Sequence, residues 1–424
     1  MTAQSMTDKI LARAAGRASV RPGEIVEARI DMAFTHDPVL EGLAQCFYRD
    51  FGSDAKVWDP DKIALFQDHL VPAKDAASRR LAIAMSNFAA EQGIERFFPY
   101  GENYGVCHIV MCEQGLVRPG QVILGTDSHS VTYGAFNAFG SGVGMIDMVN
   151  VFRTGQLWLR VPETIEVRID GELRPGVMAK DIILRLLADI GMSGASGMTV
   201  EWTGSTVDAM SVEERITLCN MVVEAGATNG IMALSDAARD YLREVGAEPY
   251  DEVVSDPGCA RARAIAYRAE ELEPMVAHPH RPDNVQGIAQ TRAAKIAVDQ
   301  VYVGSCTGAK YDDIAVVAEL LRGRRIAAST RLLVVPASMQ IYRRMADTGV
   351  LLDLIDAGAM IESPGCKACY GAHGGVLGDG EVCLSTTNRN FRGRMGNPKS
   401  FVYLASPRVA AMTALAGTIT DEAR

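Results

Sequence analysis

A chain of 424 residues exceeds the length that one hydrophobic core usually supports, so two or three domains are expected. Its 42 basic and 52 acidic residues give a formal charge of −10, with no run of Lys or Arg that could track a phosphate backbone or an anionic bilayer, which argues against nucleic acid and membrane surfaces as partners. The nine cysteines are odd in number and thinly spread, which fits a reducing cytoplasm better than a disulfide framework and leaves packing, redox chemistry or metal as their work.

The start, MTAQSMTDKILARAAGRASV, interleaves Asp8, Lys9, Arg13 and Arg17 with small residues and lacks the unbroken apolar stretch of a signal peptide. No later run reaches the ~20 apolar residues of a membrane helix. Asp68 and His69 stand together in FQDHL, and His108 lies in GVCHIV. QVILGTDSHS reads as a strand ending in a polar cluster that holds Asp127, Ser128 and His129. FGSGVG, at Phe139–Gly144, is similar to a dinucleotide loop but lacks the strand–GxGxxG–helix order. A break around Val161–Glu163 precedes the strand-like ETIEVRIDG. Apolar positions recurring at three and four predict helices in VMAKDIILRLLADIG and SVEERITLCNMVVEAGA, the second carrying Glu224.

The Pro- and His-rich stretch Pro274–Val285 reads as a linker. QVYVGSCTG and RLLVVPAS are strand-like again, and the first runs into Cys306. Near the end, SPGCKACYGAHGG brings Cys366 and Cys369, and TTNRNFRGR brings Asn388, Arg389, Arg392 and Arg394. This alternation of strands, helices and glycine turns is that of α/β layers, without internal repeats or low-complexity tracts. Open α/β sheets bind ligands beyond the carboxyl ends of their strands, so chemistry is expected at Thr126–Ser130 and Gly304–Gly308.

Each group has a bland reading to set against a functional one. Two cysteines three apart are often simply core, but the Gly-rich, polar flanks of Cys366 and Cys369 do not read as core. A CxxC pair also suits a thioredoxin-type dithiol or half of a zinc site, and no second CxxC is present. With Cys306 added, three thiolates could hold three irons of a four-iron cluster, leaving the fourth open as a Lewis acid. A lone His is more often structural than catalytic, but Asp–His neighbours fix the imidazole tautomer and raise its basicity, as a proton relay requires. Three arginines could be a solvated face. Interleaved with Asn388, Asn390 and Gly393, they suggest instead a loop presenting guanidinium forks, which match carboxylates. Glu224, among apolar helix neighbours, is either an end-of-helix charge or a buried functional carboxylate.

The motifs DHL, GVCHIV, GTDSHSVTYGAFNAFGSGVG, CNMVVEAGA, VAHPHRPDNV, VGSCTG, PGCKACYG and STTNRNFRGR, in this order, resemble the aconitase superfamily over nearly the whole chain, and within it the large subunits of the isopropylmalate isomerase and homoaconitase type. The resemblance implies three α/β domains around a central cluster, divided at 1–162, 163–275 and 276–424, without the swivelling fourth domain. It implies a 4Fe-4S cluster held by Cys306, Cys366 and Cys369, with one iron not ligated by protein. Asp68, His69, His108, Asp127, His129 and Glu224 match relay and iron-side catalytic residues. Ser128, Arg389 and Arg394 match substrate-binding positions, and Asn388 an asparagine beside the cluster that is grouped with them.

The implied activity is an iron–sulfur hydro-lyase, removing water from a 2- or 3-hydroxy acid and re-adding it in the other orientation. Isopropylmalate comes first as substrate, with homocitrate and dimethylmalate or methylmalate behind. The chain ends with SPRVAAMTALAGTITDEAR, so a separate small subunit is expected to supply the fourth domain and its base. A cytoplasmic enzyme is expected. The rival readings are an RNA-binding iron sensor, opposed by the acidic charge, and a zinc-stabilised binding module, opposed by the missing fourth ligand. Two segments depart from the family wording. Gly308 stands where Asn is usual in GSCTN, followed by Lys310 where isopropylmalate isomerases carry Arg, and HDPVLEG at His36–Gly42 replaces an HDxTxP-like pattern.

Overall fold

In the computed structural model, which describes residues 3–422, the short apolar runs Met32–His36, Ile63–Phe66 and Val122–Gly125 are buried at every residue. Strands buried on both faces belong in parallel sheets. These three form the centre of a five-stranded sheet, in the order Phe97–Phe98, Ile63–Phe66, Met32–His36, Val122–Gly125 and Phe139–Gly142, with every pair parallel. Side chains alternate across the sheet. Met32, Phe34, Ala64, Phe66 and Ile123 enter one core, while Ala33, Ile63, Leu65, Val122 and Leu124 enter a second, beneath the helices Asp37–Phe51, Ala76–Gln92 and Met145–Thr154.

A second, four-stranded parallel sheet runs Asn229–Met232, Thr199–Thr203, Thr164–Asp170 and Arg263–Arg268. The third has seven strands, in the order Val285–Gly287, Met275–Ala277, Phe401–Leu404, Val382–Ser385, Gln300–Val303, Arg331–Val334 and Met360–Ile361. Its five last-named strands pair in parallel, and the first two join antiparallel. The helix predicted in 177–191 is present as Ala179–Ile190. That predicted in 211–227 starts from a capping box between Ser211 and Glu214 and ends at Met221, tightening into a 3-10 turn over Val222–Ala225 that Gly226 closes at φ 84°.

Pro274–Val285 is not a linker. Met275–Ala277 is a buried strand paired with Val285–Gly287, and the Pro and His residues between them form the loop of that hairpin. Three apolar residues are too few to show a period of two, and the Pro- and His-rich composition beside them masks the strand. Among the described residues no helix is long and apolar enough to cross a membrane.

The segment after Val122–Gly125 winds as a nine-residue 3-10 helix, Ser128–Phe136, capped by Asp127 and ended by Asn137 at φ 62°. It presses directly on the second sheet, and a Cβ at Gly134 would lie 1.4 Å from the carbonyl oxygen of Gly230. Only glycine permits that approach. Gly134→Ala is expected to destabilise the protein by about 3 kcal/mol, the upper range for an overpacked core, read as a lower urea midpoint.

Candidate active site

Residues beyond the carboxyl ends of the first and third sheets line one small cavity: His69, His108, Asp127 and His129 from one side, and Cys306, Cys366, Cys369, Asn388 and Arg394 from the other. Both loops expected to carry chemistry, Thr126–Ser130 and Gly304–Gly308, contribute to it.

On the first side, Asp68 follows the strand Ile63–Phe66 by two residues, and its Oδ1 lies 2.6 Å from Nδ1 of His69. Its Oδ2 accepts from the backbone N–H of Cys107 at 2.8 Å, the first residue of the helix Cys107–Glu113. His108, next in that helix, is wedged edge-on against Phe34, with Nε2 2.9 Å from Asp127 Oδ1 and Nδ1 3.4 Å from the Tyr133 hydroxyl. Asp127 also accepts from the backbone N–H of His129 at 2.7 Å, and its Oδ2 lies 3.6 Å from His69 Nε2. His129 Nε2 lies 2.9 Å from Glu224 Oε1, which accepts from Arg389 Nε at 2.8 Å.

These contacts decide the charges. Burial alone would raise the Asp127 carboxyl, but His108, His129 and His69 hold it well below its ordinary value. Glu224 is likewise pushed up by burial and brought below its usual value by His129 and Arg389. Burial would lower His69, yet the Asp68 and Asp127 carboxylates raise it well above 6.5. His69 is therefore a buried cation between two anions.

On the second side, the strand Gln300–Val303 runs into Cys306, and the strand Val382–Ser385 runs into Asn388. All three thiols are buried. Asn220 Nδ2 donates to Cys306 Sγ at 3.1 Å and to Thr132 Oγ1 at 2.8 Å, while its Oδ1 accepts from Thr307 Oγ1 at 2.7 Å. Asn388 Nδ2 donates to Thr307 Oγ1 at 3.2 Å, and its Oδ1 lies 3.7 Å from Cys369 Sγ. Beside the thiols, Ser305 and Lys367 adopt φ of 80° and 49°, a left-handed backbone rarely taken by side-chain-bearing residues and often found at functional sites. Hydrogen bonding between Cys366 and Cys369 brings Cys369 down to about 5 and pushes Cys366 up, and the Arg394 charge favours both thiolates. Arg394 Nε is buried without a hydrogen-bond partner.

This donor set fits a cluster on three thiolates. The ring nitrogens of His69, His108 and His129 are all within reach of Asp68, Asp127, Tyr133, Ser128 or Glu224, so they are engaged rather than offered as further ligands. A thioredoxin-type dithiol leaves the third thiol and the unpartnered Nε of Arg394 unexplained.

Not every singled-out residue points here. Arg392 is exposed and reaches the Pro398 carbonyl at 3.5 Å. Ser128 is half-buried at the rim, 3.5 Å from His129 Nδ1. Lys310 turns away beneath the Cys306 loop, where Nζ donates to Thr307 O and Asp313 Oδ2 at 2.6 Å and to Thr217 Oγ1 at 2.9 Å. It lines a separate cavity of about 400 Å³ with Glu113, Glu213, Tyr311 and Arg344, which contains none of Cys306, Cys366, Cys369, His69, His108 and His129. Gly308 packs against Thr386, whose carbonyl oxygen would lie 2.4 Å from a Cβ there.

Sequence reading missed Asn220 and Lys180. The first lies in CNMVVEAGA, four residues before Glu224, and that spacing within one predicted helix was the available signal, although the helix ends at Met221 and Glu224 sits in the 3-10 turn after it. Lys180 sits on a helix whose pattern is otherwise that of core. Its Nζ donates to the Thr386 and Thr387 carbonyls ahead of Asn388, and burial lowers it to about 7.

The sequence matches the Aconitase family (aconitate hydratase) over residues 28–417. It is 44% identical over 423 residues to a "Probable methanogen homoaconitase large subunit" of Methanothermobacter thermautotrophicus, covering 99% of this chain and 98% of that one. Similar relatives are two proteins named 3-isopropylmalate dehydratase large subunit 1. That of Methanopyrus kandleri is 44% identical over 99% of this chain and 98% of its own, and that of Pyrococcus furiosus 43% identical over 99% of each. Aconitase X of Thermococcus kodakaraensis shares the fold, with a TM-score of 0.51 at 11% identity, covering 86% of this chain and 84% of that one. Fold and relatives together define an α/β hydro-lyase of the iron–sulfur class, in which a 4Fe-4S cluster is the family's cofactor. The chain belongs to the aconitase family.

His69 generates a pH test. Because its folded value is raised above 6.5, the stability it contributes is complete below about pH 6.5 and fades as pH climbs through the raised value. In the metal-free chain, the deficit of His69→Gln against wild type is expected to be largest near pH 6 and to shrink as pH rises through the raised value, measured as urea midpoints. A deficit independent of pH would mean that His69 is neutral in the fold.

Proposed function

We propose that this chain is the large subunit of a 3-isopropylmalate dehydratase, a heteromeric hydro-lyase that removes water from a hydroxy dicarboxylic acid and re-adds it at the neighbouring carbon. The observation that carries this reading is the convergence of three buried thiols, three carboxylate-held imidazoles and Arg394, whose Nε is unpartnered, on one cavity. The names of the relatives favour this substrate. A homoaconitase is the second reading, favoured by the relative at 44% identity that bears that name.

In this reading Cys306, Cys366 and Cys369 hold the cluster, and one iron is left without a protein ligand. When bound, the cluster supplies a Lewis acid for the departing hydroxyl. His69, kept protonated by Asp68 and Asp127, is the proton donor to that hydroxyl through Nε2. His108 and His129 hold Asp127 and Glu224 as anions, which fixes the field around the reacting carbon. Arg394 and the free end of the Arg389 fork take the substrate carboxylates, with Ser128 at the rim and Asn388 beside the thiols.

The proton on carbon must go to a base. The relatives described above are each named a large subunit, which supports a separate small subunit as the source of that base. The five-, four- and seven-stranded sheets support three units, divided at 162–163 and just ahead of the strand Met275–Ala277 rather than within it at 275–276, with the cluster thiols in the third unit. A cytoplasmic location accords with the nine free cysteines.

Iron and sulfide analysis of anaerobically purified protein tests the cofactor assignment. Cys306→Ser, Cys366→Ser and Cys369→Ser are each expected to lose the brown chromophore, and Cys46→Ser to keep it; a fully coloured Cys366→Ser protein refutes the ligand set. Turnover of 3-isopropylmalate by the chain alone is expected to be near background. It should rise by ~10²-fold or more on adding the cognate small subunit, saturating near an equimolar ratio. Turnover of homocitrate derivatives but not of isopropylmalate would establish the second reading.

A further inference from the structure

The helix Asp37–Phe51 starts directly at the end of the strand Met32–His36, and its first residue is only 2% exposed. An acid in a first helical turn ordinarily serves that helix's own amides and dipole. Asp37 reaches across to the neighbouring strand end instead. Its Oδ1 accepts from the backbone N–H groups of Asp68 at 3.3 Å and His69 at 3.0 Å, and its Oδ2 from that of Leu70 at 2.8 Å. Successive amides converging on one point form an anion-binding concavity, here filled by a side chain of the same protein. Oδ1 also lies 4.0 Å from His69 Nδ1. The preceding residue, His36, lies flat on the His69 ring, with centroids 4.2 Å apart and planes at 23°, and Tyr370 meets that ring edge-on at 5.1 Å.

We infer that Asp37 is the positioning residue of the Asp68–His69 pair. Its carboxylate fixes the turn 68–70, and that turn makes three further connections. Asp68 Oδ2 accepts from Cys107 N, the Asp68 carbonyl accepts from Cys366 N at 2.8 Å, and His69 Nε2 faces Asp127. One carboxylate thus sets the direction of the relay imidazole and, through a single peptide, the place of a cluster-ligand loop. The segment that departs from the family wording, Val39–Glu41, begins only after this anchor.

The inference rests on the relay role proposed above for His69, but the first arm of its test does not. Amide hydrogen exchange and steady-state kinetics are compared for the full chain, with its small subunit, as wild type, Asp37→Asn and Asp37→Glu. Asparagine keeps the shape but turns an N–H₂ donor towards donors. Glutamate keeps an acid at the helix start but carries it one methylene too far. In both variants the amides of Asp68, His69 and Leu70 are expected to exchange about tenfold faster, with those of the strand Val122–Gly125 unchanged. Turnover per bound iron should fall ~10–100-fold while KM stays within about threefold, the usual cost of losing an outer-shell partner.

Unchanged exchange at 68–70, or wild-type turnover per iron in either variant, overturns the inference. Full recovery by glutamate assigns Asp37 to its own helix and overturns it equally. If Asp37→Asn does not fold, the glutamate variant decides by the same two measurements. Faster exchange in the variants alongside a wild type without hydro-lyase activity leaves the anchor standing and removes the functional reading instead.

Discussion

Asp127 is a half-buried anion, its side chain 19% exposed, and the rest of the site is arranged around keeping it one. A carboxylate withdrawn this far from water and left alone is pushed towards its protonated form. Here His108 at 2.9 Å, the His129 amide at 2.7 Å and the His69 ring at 3.6 Å share its two oxygens, and the three come from three separate segments. Each imidazole then brings a second partner, respectively Tyr133, Glu224 and Asp68, so the charge of one group fixes the orientation of six. The network leaves Arg394 Nε without a hydrogen-bond partner, which is what a site awaiting an anionic substrate should leave over.

The fold supplies this by making sheets meet end to end. The carboxyl ends of strands in the first and third sheets face one cavity, and the connection is made by backbone as well as side chain: Cys366 N donates to Asp68 O and Val106 N to Ala337 O. The second sheet enters through the helix Val212–Met221 and the turn after it, which bring Asn220 to Cys306 and Glu224 to His129. Close glycine contacts, such as Gly134 on Gly230, hold these pieces at separations a methyl group would forbid.

Much of this was legible in the sequence because the groups concerned are local. Asp68 and His69 are neighbours, Asp127 and His129 share one strand end, and the CxxC pair is a single loop, so motif and site coincide. Glu224 needed the fold to find its partners, since His129 lies 95 residues and Arg389 lies 165 residues away in sequence. Arg392 and Arg394 are indistinguishable by composition, and only the turn that exposes one and half-buries the other, enclosing its Nε, separates them. The strand Met275–Ala277 was hidden because three residues carry no periodicity beside a Pro- and His-rich loop. Asn220 was hidden because a buried amide on a helix face looks like any capping or solvated polar residue.

The contact between Gly308 and Thr386 reaches beyond the site itself. Thr386 Oγ1 donates to the Gly308 carbonyl at 2.8 Å and accepts from Gly304 N at 3.1 Å, closing the thiol loop against the turn before Asn388. Any side chain at 308 and the present course of that turn exclude one another. The two positions therefore cannot vary independently: a substitution at one is admissible only on a background already altered at the other. Grafting the Cys306 loop of a relative that carries asparagine at this position would fail unless the Thr386 turn travelled with it, so the smallest exchangeable part of this site is a pair of strand ends rather than a loop.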